Sequence, residues 1–196
     1  MQTMNMDARC FLAIELPTSI QEHLESIISS LSKMWPQNAV RWVRPDGTHL
    51  TLHFLGNFVS DKIVEEVKQQ GIQITHLVKP FTLSTGAISS FPTQSPLRII
   101  YLCCGGKGVT VLCDLQANFV QMLNRVGILV DLRPWRPHLT LGRAKLPIAA
   151  PLQWPTFPNV NFEVDSVTFF KSTLTPDGPV YERISQLEFQ RDPRLQ

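Results

Sequence analysis

A tetrapeptide of this chain, His-Leu-Thr-Leu, occurs twice, at residues 49–52 and again, letter for letter, at residues 138–141. The copies begin 138 − 49 = 89 residues apart in a chain of 196 residues, so they occupy similar places in its two halves. Polar and apolar side chains alternate in each copy, which is typical of a strand with one buried face. The repeat therefore predicts a fold of two related parts, each containing one such strand.

Alternation decides which side chains of the repeat share a face. In an extended strand His49 and Thr51 point to one face, about 7 Å apart, while Leu50 and Leu52 point to the other. We expect the leucines to anchor the strand in a core and to leave an imidazole and a hydroxyl on the open face. The same arrangement is predicted for the second copy, which consists of His138, Leu139, Thr140 and Leu141.

Hydrophobic periodicity elsewhere predicts helices interleaved with strands. Helical spacing begins at Thr18, where Gln21 completes a predicted capping box, and again after Ser60, a predicted helix cap. A third helix is predicted over 112–126. Strands are predicted at 10–16, 40–44, 48–55, 81–91, 97–103, 128–132, 138–141, 162–170 and 180–189, with an irregular connection at 144–160.

The order of these elements predicts an α+β protein of two pseudo-symmetric lobes in a single domain, residues 1–196. Each lobe is expected to be an antiparallel sheet with helices packed on its outer face. A cleft between the lobes would bring the two open faces together and, with them, the two histidine–threonine pairs.

Composition is that of an ordinary globular protein, with 43% hydrophobic and 17% charged residues. No apolar run approaches the roughly 20 residues that span a bilayer, and the first residues lack the pattern of a signal peptide. The expectation is a cytoplasmic protein without a membrane segment and without an obligate protein partner. A net charge of +2 is too small for long non-specific nucleic-acid binding, yet it suits contact with one or two phosphates.

Metal sites are disfavoured by the residue types present. The four cysteines form no Cys-x-x-Cys pair, and neither tetrapeptide contains a carboxylate or a thiol. A lone histidine on a strand is more often structural than catalytic. Two histidines at equivalent places, each with a hydroxyl two residues on, instead suit an acid and a base that act on one phosphorus atom.

The twin His-x-Thr-x elements resemble those of the 2H phosphoesterase superfamily, and most of all the RNA 2′,3′-cyclic phosphodiesterases, formerly called 2′-5′ RNA ligases. The resemblance extends over nearly the whole chain. It includes Phe-Leu-Ala-Ile-Glu-Leu-Pro at 11–17, His-Leu-Thr-Leu-His-Phe-Leu-Gly at 49–56, Trp-Arg-Pro-His-Leu-Thr-Leu-Gly-Arg at 135–143, and a closing hairpin around 170–181.

The resemblance implies an enzyme that hydrolyses a terminal 2′,3′-cyclic phosphate, on an RNA end or a small nucleotide, to a 2′-phosphate without any cofactor. It makes His49 the proton donor to the 3′-oxygen and His138 the acceptor from water. Thr51 and Thr140 would hydrogen-bond the phosphoryl oxygens. The residues alone do not tell which histidine is donor and which acceptor, because the two motifs are nearly symmetric.

Arg143 resembles an arginine of the family's second motif and would clamp the phosphate. Strict alternation, however, sends Arg143 to the leucine face, so this role requires the strand to end or bulge at Gly142. Phe54 holds the corresponding place after the first motif. Trp135 and Tyr181 are the predicted surfaces for stacking a nucleobase.

The other histidines receive non-catalytic predictions. His53 shares the face of His49 by alternation and is expected to be a peripheral polar residue, and His23 and His76 are expected at the surface.

Two other functions stay open at this point. A non-catalytic nucleotide-binding module would hold a phosphate without turning it over, although the presence of both histidines and both threonines argues against it. An enzyme that joins RNA ends through 2′-5′ linkages would need a second RNA end held tightly against excess water, which the mild charge does not favour.

Overall fold

The computed structural model describes residues 8–57, 59–93, 95–131, 133–175 and 178–190 of the chain. Within those ranges it contains three α-helices and nine β-strands. In chain order they are β1 (Ala8–Glu15), α1 (Thr18–Leu31), β2 (Val40–Trp42), β3 (His49–Asn57), α2 (Asp61–Thr75), β4 (Phe81–Phe91), β5 (Leu97–Gly105), α3 (Val109–Arg125), β6 (His138–Ile148), β7 (Asn161–Val164), β8 (Ser166–Thr175) and β9 (Gly178–Glu188).

The strands form two antiparallel sheets. The first sheet has the order β3-β1-β8-β9 and the second the order β2-β6-β5-β4-β7. The two motif strands, β3 and β6, therefore lie in different sheets, and the predicted α+β class with two antiparallel sheets is confirmed. The sheets do not correspond to halves of the sequence, because β8 and β9 cross back to join β1, while β2 joins the second sheet.

One continuous hydrophobic core lies beneath both sheets. The motif leucines belong to it as predicted: Leu50, Leu52, Leu139 and Leu141 are all at most 1% exposed. The apolar stripe of α1 joins the same core, while α2 and α3 pack against each other and against strands of the first sheet. Burial of the leucines fixes each motif strand, so the open-face side chains stand on a rigid support.

One predicted strand is missing from the structure and another is divided into two. Residues 128–131 form no strand, because the amide of Ile128 bonds the carbonyl of Leu123 and so closes the end of α3; Leu132 lies outside the described residues. The predicted strand 162–170 is divided at Asp165, whose carbonyl accepts a hydrogen bond from Phe189. Its two pieces, β7 and β8, belong to different sheets.

One of the two predicted helix caps is present in the structure, and strand β6 is longer than predicted. The Ser60 hydroxyl accepts a hydrogen bond from the amide of Ile63 at 3.4 Å, which confirms the predicted cap of α2. The prediction of a capping box at the start of α1 is wrong, because no side chain caps this helix and the Gln21 amide donates to the backbone carbonyl of Leu16. Strand β6 continues to Ile148, so the connection predicted as irregular from residue 144 begins later.

Candidate active site

Strand β6 contains a bulge at the fourth residue of its motif. Ile100 of β5 pairs with Gly142, and the next residue, Tyr101, pairs with Thr140, so Leu141 is the extra residue. Leu141 and Gly142 are consequently both buried, and Arg143 emerges exposed on the face of Thr140. The bulge that the sequence required for a phosphate role of Arg143 is present.

A glycine is needed at position 142 because β2 packs closely there. A Cβ atom on Gly142 would lie 2.7 Å from Val40 Cγ1 and 2.8 Å from Trp42 Cε3. Glycine therefore permits the inward turn of the backbone from which Arg143 emerges on the open face.

Strand β3 bulges at the equivalent motif position. Leu12 pairs with His53, and the next residue of β1, Ala13, pairs with Thr51, which leaves Leu52 as the extra residue. His53 therefore turns to the core side and is only 7% exposed, so the prediction of a peripheral residue on the His49 face is wrong. Burial lowers the pKa of His53. Phe54 takes the open face instead and is 55% exposed.

The two motif histidines are fixed in the same way. His49 Nδ1 lies 3.1 Å from the carbonyl oxygen of Gly47, and His138 Nδ1 lies 2.7 Å from that of Arg136. A carbonyl oxygen can only accept, so each Nδ1 carries the proton and donates it. Each ring is thereby oriented by the carbonyl two residues before it, and Nε2 is left for proton transfer.

Aromatic side chains enclose the His49 ring. Phe11 stacks on it with ring centroids 4.7 Å apart, and Tyr181 meets it edge-on at 5.1 Å. Burial in these surroundings lowers the pKa of His49 from 6.5 to about 4, partly offset by its bond to Gly47 and by the carboxylate of Glu15. Glu15 faces His49 across the β1–β3 ladder and forms an ion pair with Arg183.

Two aromatic side chains also contact the ring of His138. Phe91 and Tyr101 both meet the imidazole edge-on, at centroid distances of 5.4 and 5.3 Å, and they stack on each other at 4.3 Å. Sequence reasoning did not identify Phe11, Phe91 or Tyr101 as neighbours of the histidines. Face alternation along β1, β4 and β5 was the available signal, but it becomes informative only once the pairing register is known.

The two motif strands are in contact across the boundary between the sheets. Trp135, three residues before His138, donates its indole proton to the backbone carbonyl of Thr51 at 3.2 Å. Its half-buried ring packs against the core. A base-stacking role for Trp135 stays a prediction, while its hydrogen bond ties the approach to the second motif directly to the first.

The remaining predicted site residues lie on the open faces. The hydroxyls of Thr51 and Thr140 have no hydrogen-bond partner within the described ranges, so both can donate to a ligand. Tyr181 is 36% exposed beside His49. Burial raises the pKa of the Tyr181 hydroxyl, and the charge of Arg143 partly offsets this.

The last two histidines lie outside this arrangement. His76 is exposed at the end of α2, as predicted. His23 is only partly at the surface: it has intermediate exposure on α1, its Nε2 atom is buried without a hydrogen-bond partner in the described ranges, and burial lowers its pKa.

The described part of the chain holds no group of three or more His, Cys, Asp or Glu side chains arranged to bind a metal ion. None of its helices combines the length and apolar character needed to cross a membrane.

Comparisons with known proteins find relatives that are similar in sequence and in fold. Residues 14–101, which include the first motif, match the family described as LigT like Phosphoesterase. The RNA 2′,3′-cyclic phosphodiesterase of Methanocaldococcus jannaschii is 27% identical over 184 residues, covering 91% of this chain and 99% of that protein. The protein of the same name from Archaeoglobus fulgidus is 28% identical, covering 92% and 99%.

A solved structure agrees over nearly the same length. E. coli LigT, crystallised in complex with 3′-AMP, superposes with a TM-score of 0.73 at 26% identity, covering 94% of this chain and 99% of that one. The matched segment, the full-length relatives and the shared fold all point to one family. The chain is similar to the LigT-like phosphoesterases, a family of 2H phosphoesterases, in residues 14–101 and in its overall fold.

Proposed function

We propose that this protein hydrolyses the terminal 2′,3′-cyclic phosphate of RNA ends or small nucleotides and leaves a 2′-phosphate. The observation that carries the proposal is the matched pair of imidazoles, His49 and His138. They stand on contacting strands of two sheets, and each is held through Nδ1 by the carbonyl two residues before it. The curated relatives named RNA 2′,3′-cyclic phosphodiesterase support the substrate class.

His138 acts as the base in this mechanism. Nδ1 of His138 donates a hydrogen bond to the backbone carbonyl of Arg136, so the lone pair of the neutral ring is on Nε2. There it accepts a proton from water. The water oxygen forms a bond to phosphorus as the bond from phosphorus to the 3′-oxygen breaks. His49 gives its Nε2 proton to that departing oxygen, so the products are a 2′-phosphate and a free 3′-hydroxyl.

His49 must be protonated to act as the donor, and its low pKa of about 4 makes it neutral in the free protein near pH 7. A cyclic phosphodiester carries one negative charge, and an opposite charge close to a buried imidazole favours the protonated form. We therefore propose that His49 takes up its proton together with the substrate. The carboxylate of Glu15, which faces His49 across the β1–β3 ladder, acts in the same direction.

Three side chains are proposed to hold the phosphoryl oxygens. Thr51 and Thr140 share the open faces with the histidines and have hydroxyls available to donate. Arg143 adds a positive charge from the same strand as His138. Donors placed in advance where negative charge develops stabilise the transition state without reorganisation, which is how such groups lower a barrier.

The test is incubation of an RNA bearing a 2′,3′-cyclic end, without added metal, followed by identification of the product phosphate. We expect a 2′-phosphate, and losses on the order of a hundredfold or more in kcat for His49→Ala and for His138→Ala. His76→Ala, at the exposed end of α2, is the matched control and should retain activity. Binding of the RNA end without any turnover would instead indicate a nucleotide-binding module.

A further inference from the structure

Arg41 of β2 lies directly opposite Arg143 of β6 in the second sheet. Residues that face each other in an antiparallel pair project from the same side, with Cα atoms roughly 5 Å apart. The neighbours of Arg41, Val40 and Trp42, project to the other side, where they pack over Gly142. Arg41 therefore shares the open face with Arg143, next to the second motif.

The two arginines form a like-charged pair without a carboxylate. Both are exposed, and neither has an ion-pair partner anywhere in the described ranges. Three other arginines of the protein, Arg44, Arg133 and Arg183, are each paired with an acidic residue. Like charges opposite each other on neighbouring strands are unfavourable, and a bound anion would remove that cost.

The guanidinium of Arg41 lies at the start of β9. Its Nη2 atom is 3.3 Å from the place of a Cβ atom on Gly178, at the start of β9, where the missing side chain leaves room for the guanidinium. Arg143 instead acts on Tyr181, which contacts His49 and stands three residues, roughly 10 Å, farther along β9. An RNA that runs from the His49 site along β9 toward Gly178 would therefore pass the guanidinium of Arg41.

We propose that Arg41 binds the phosphodiester on the 5′ side of the terminal nucleotide, so that it selects RNA ends over cyclic mononucleotides. The inference rests on the proposed function and adds the substrate class to it. A 2′,3′-cyclic mononucleotide has only the phosphate that the histidines and Arg143 engage. A dinucleotide or longer RNA carries a second phosphate, one nucleotide away, and Arg41 provides a planar fork of donors for it.

The test compares two substrates with the same terminal base, a 2′,3′-cyclic mononucleotide and the dinucleotide that ends in it. For Arg41→Ala we expect kcat/KM on the dinucleotide to fall by about tenfold or more, the loss typical of a charge-assisted hydrogen bond. On the mononucleotide the value should stay within about twofold of the parent, as for an exposed substitution that touches no ligand. The salt dependence of dinucleotide binding should weaken by about one phosphate contact.

Matched variants separate the possible outcomes. Arg44→Ala removes an exposed arginine that lies two residues past β2 and is paired with Asp46. This variant should leave kcat/KM unchanged on both substrates. Arg41→Gln, which removes the charge and keeps a polar side chain, should show a dinucleotide defect similar to that of Arg41→Ala, while unchanged mononucleotide hydrolysis shows that the variant is folded. An equal loss on both substrates, or no loss on either, would overturn the role of Arg41. Failure of the parent protein to hydrolyse either substrate would overturn the proposed function instead.

Discussion

The indole of Trp135 donates a hydrogen bond to the backbone carbonyl of Thr51 and so joins the approach to the second motif to the first motif strand. The acceptor lies in the first sheet and the donor three residues before β6 of the second. The two histidines are thus held in relation to each other by a direct polar contact as well as by the common core. The proposed acid–base catalysis on one phosphorus atom depends on that relation, because small misplacements of reacting groups are costly.

Replacing Trp135 by Phe keeps an aromatic ring and removes the donor. We expect the free energy of unfolding to fall by about 1–2 kcal/mol, from the unpaired carbonyl and the smaller ring, and kcat to fall by about tenfold. Urea denaturation and steady-state kinetics measure the two effects. Trp154→Phe, at a partly buried tryptophan packed on Trp35, should lower stability without lowering kcat. Equal kcat losses in both variants would mean that the hydrogen bond does not position the motifs.

Because His49 is buried, we expect the free energy of unfolding to depend on pH. The ring binds a proton near pH 6.5 in the unfolded chain but only near 4 in the folded protein. Between those values the unfolded state carries more protons, so stability falls as the pH is lowered from about 6.5 to about 4 and levels off below. The contribution of His49 to this loss is at most about 3 kcal/mol. Denaturation of His49→Gln across this range should show a flatter profile, whereas His76→Gln should follow the parent.

Much of the site follows from two-residue periodicity. Leu50 and Leu139 are buried and His49 and His138 are on open faces because alternation is a local property of any extended strand. The two bulges are different, because a bulge depends on the register with the neighbouring strand. At Gly142 the glycine was a signal for one, whereas nothing in the residues at 52–53 indicated that His53 would turn inward.

Long-range pairing limited the rest of the prediction. The return of β8 and β9 to the first sheet places Tyr181 and Arg183 near the first motif, although they lie near the other end of the chain. Arg41 is similar: on its own it is one charged residue on a short edge strand. Its importance depends on Arg143 facing it across the ladder, which requires knowledge of the register.

Glu15 is expected to act on catalysis through His49. Its carboxylate raises the pKa of His49 against the larger opposing effect of burial. Glu15→Gln removes the charge with little change in shape, so the pKa of His49 should fall further and kcat/KM near neutral pH should decrease. NMR titration of the imidazole signals measures the shift. Asp131→Asn is the matched control, because Asp131 raises the pKa of His53 and should leave the His49 titration unchanged. If His49 has the same pKa in Glu15→Gln as in the parent protein, Glu15 does not act through His49.

The bulge in β6 can be tested at Gly142, where a Cβ atom would meet Val40 and Trp42 at 2.7 and 2.8 Å. We expect Gly142→Ala to lower the free energy of unfolding by about 1–3 kcal/mol, as overpacking does. Because the backbone must shift where Arg143 emerges, KM should rise as well. Gly105→Ala, at the end of β5 with nothing within 4 Å of the added Cβ atom, should leave KM unchanged. A rise in KM shared by both variants would show that general loosening of the sheet, and not the position of Arg143, weakens substrate binding.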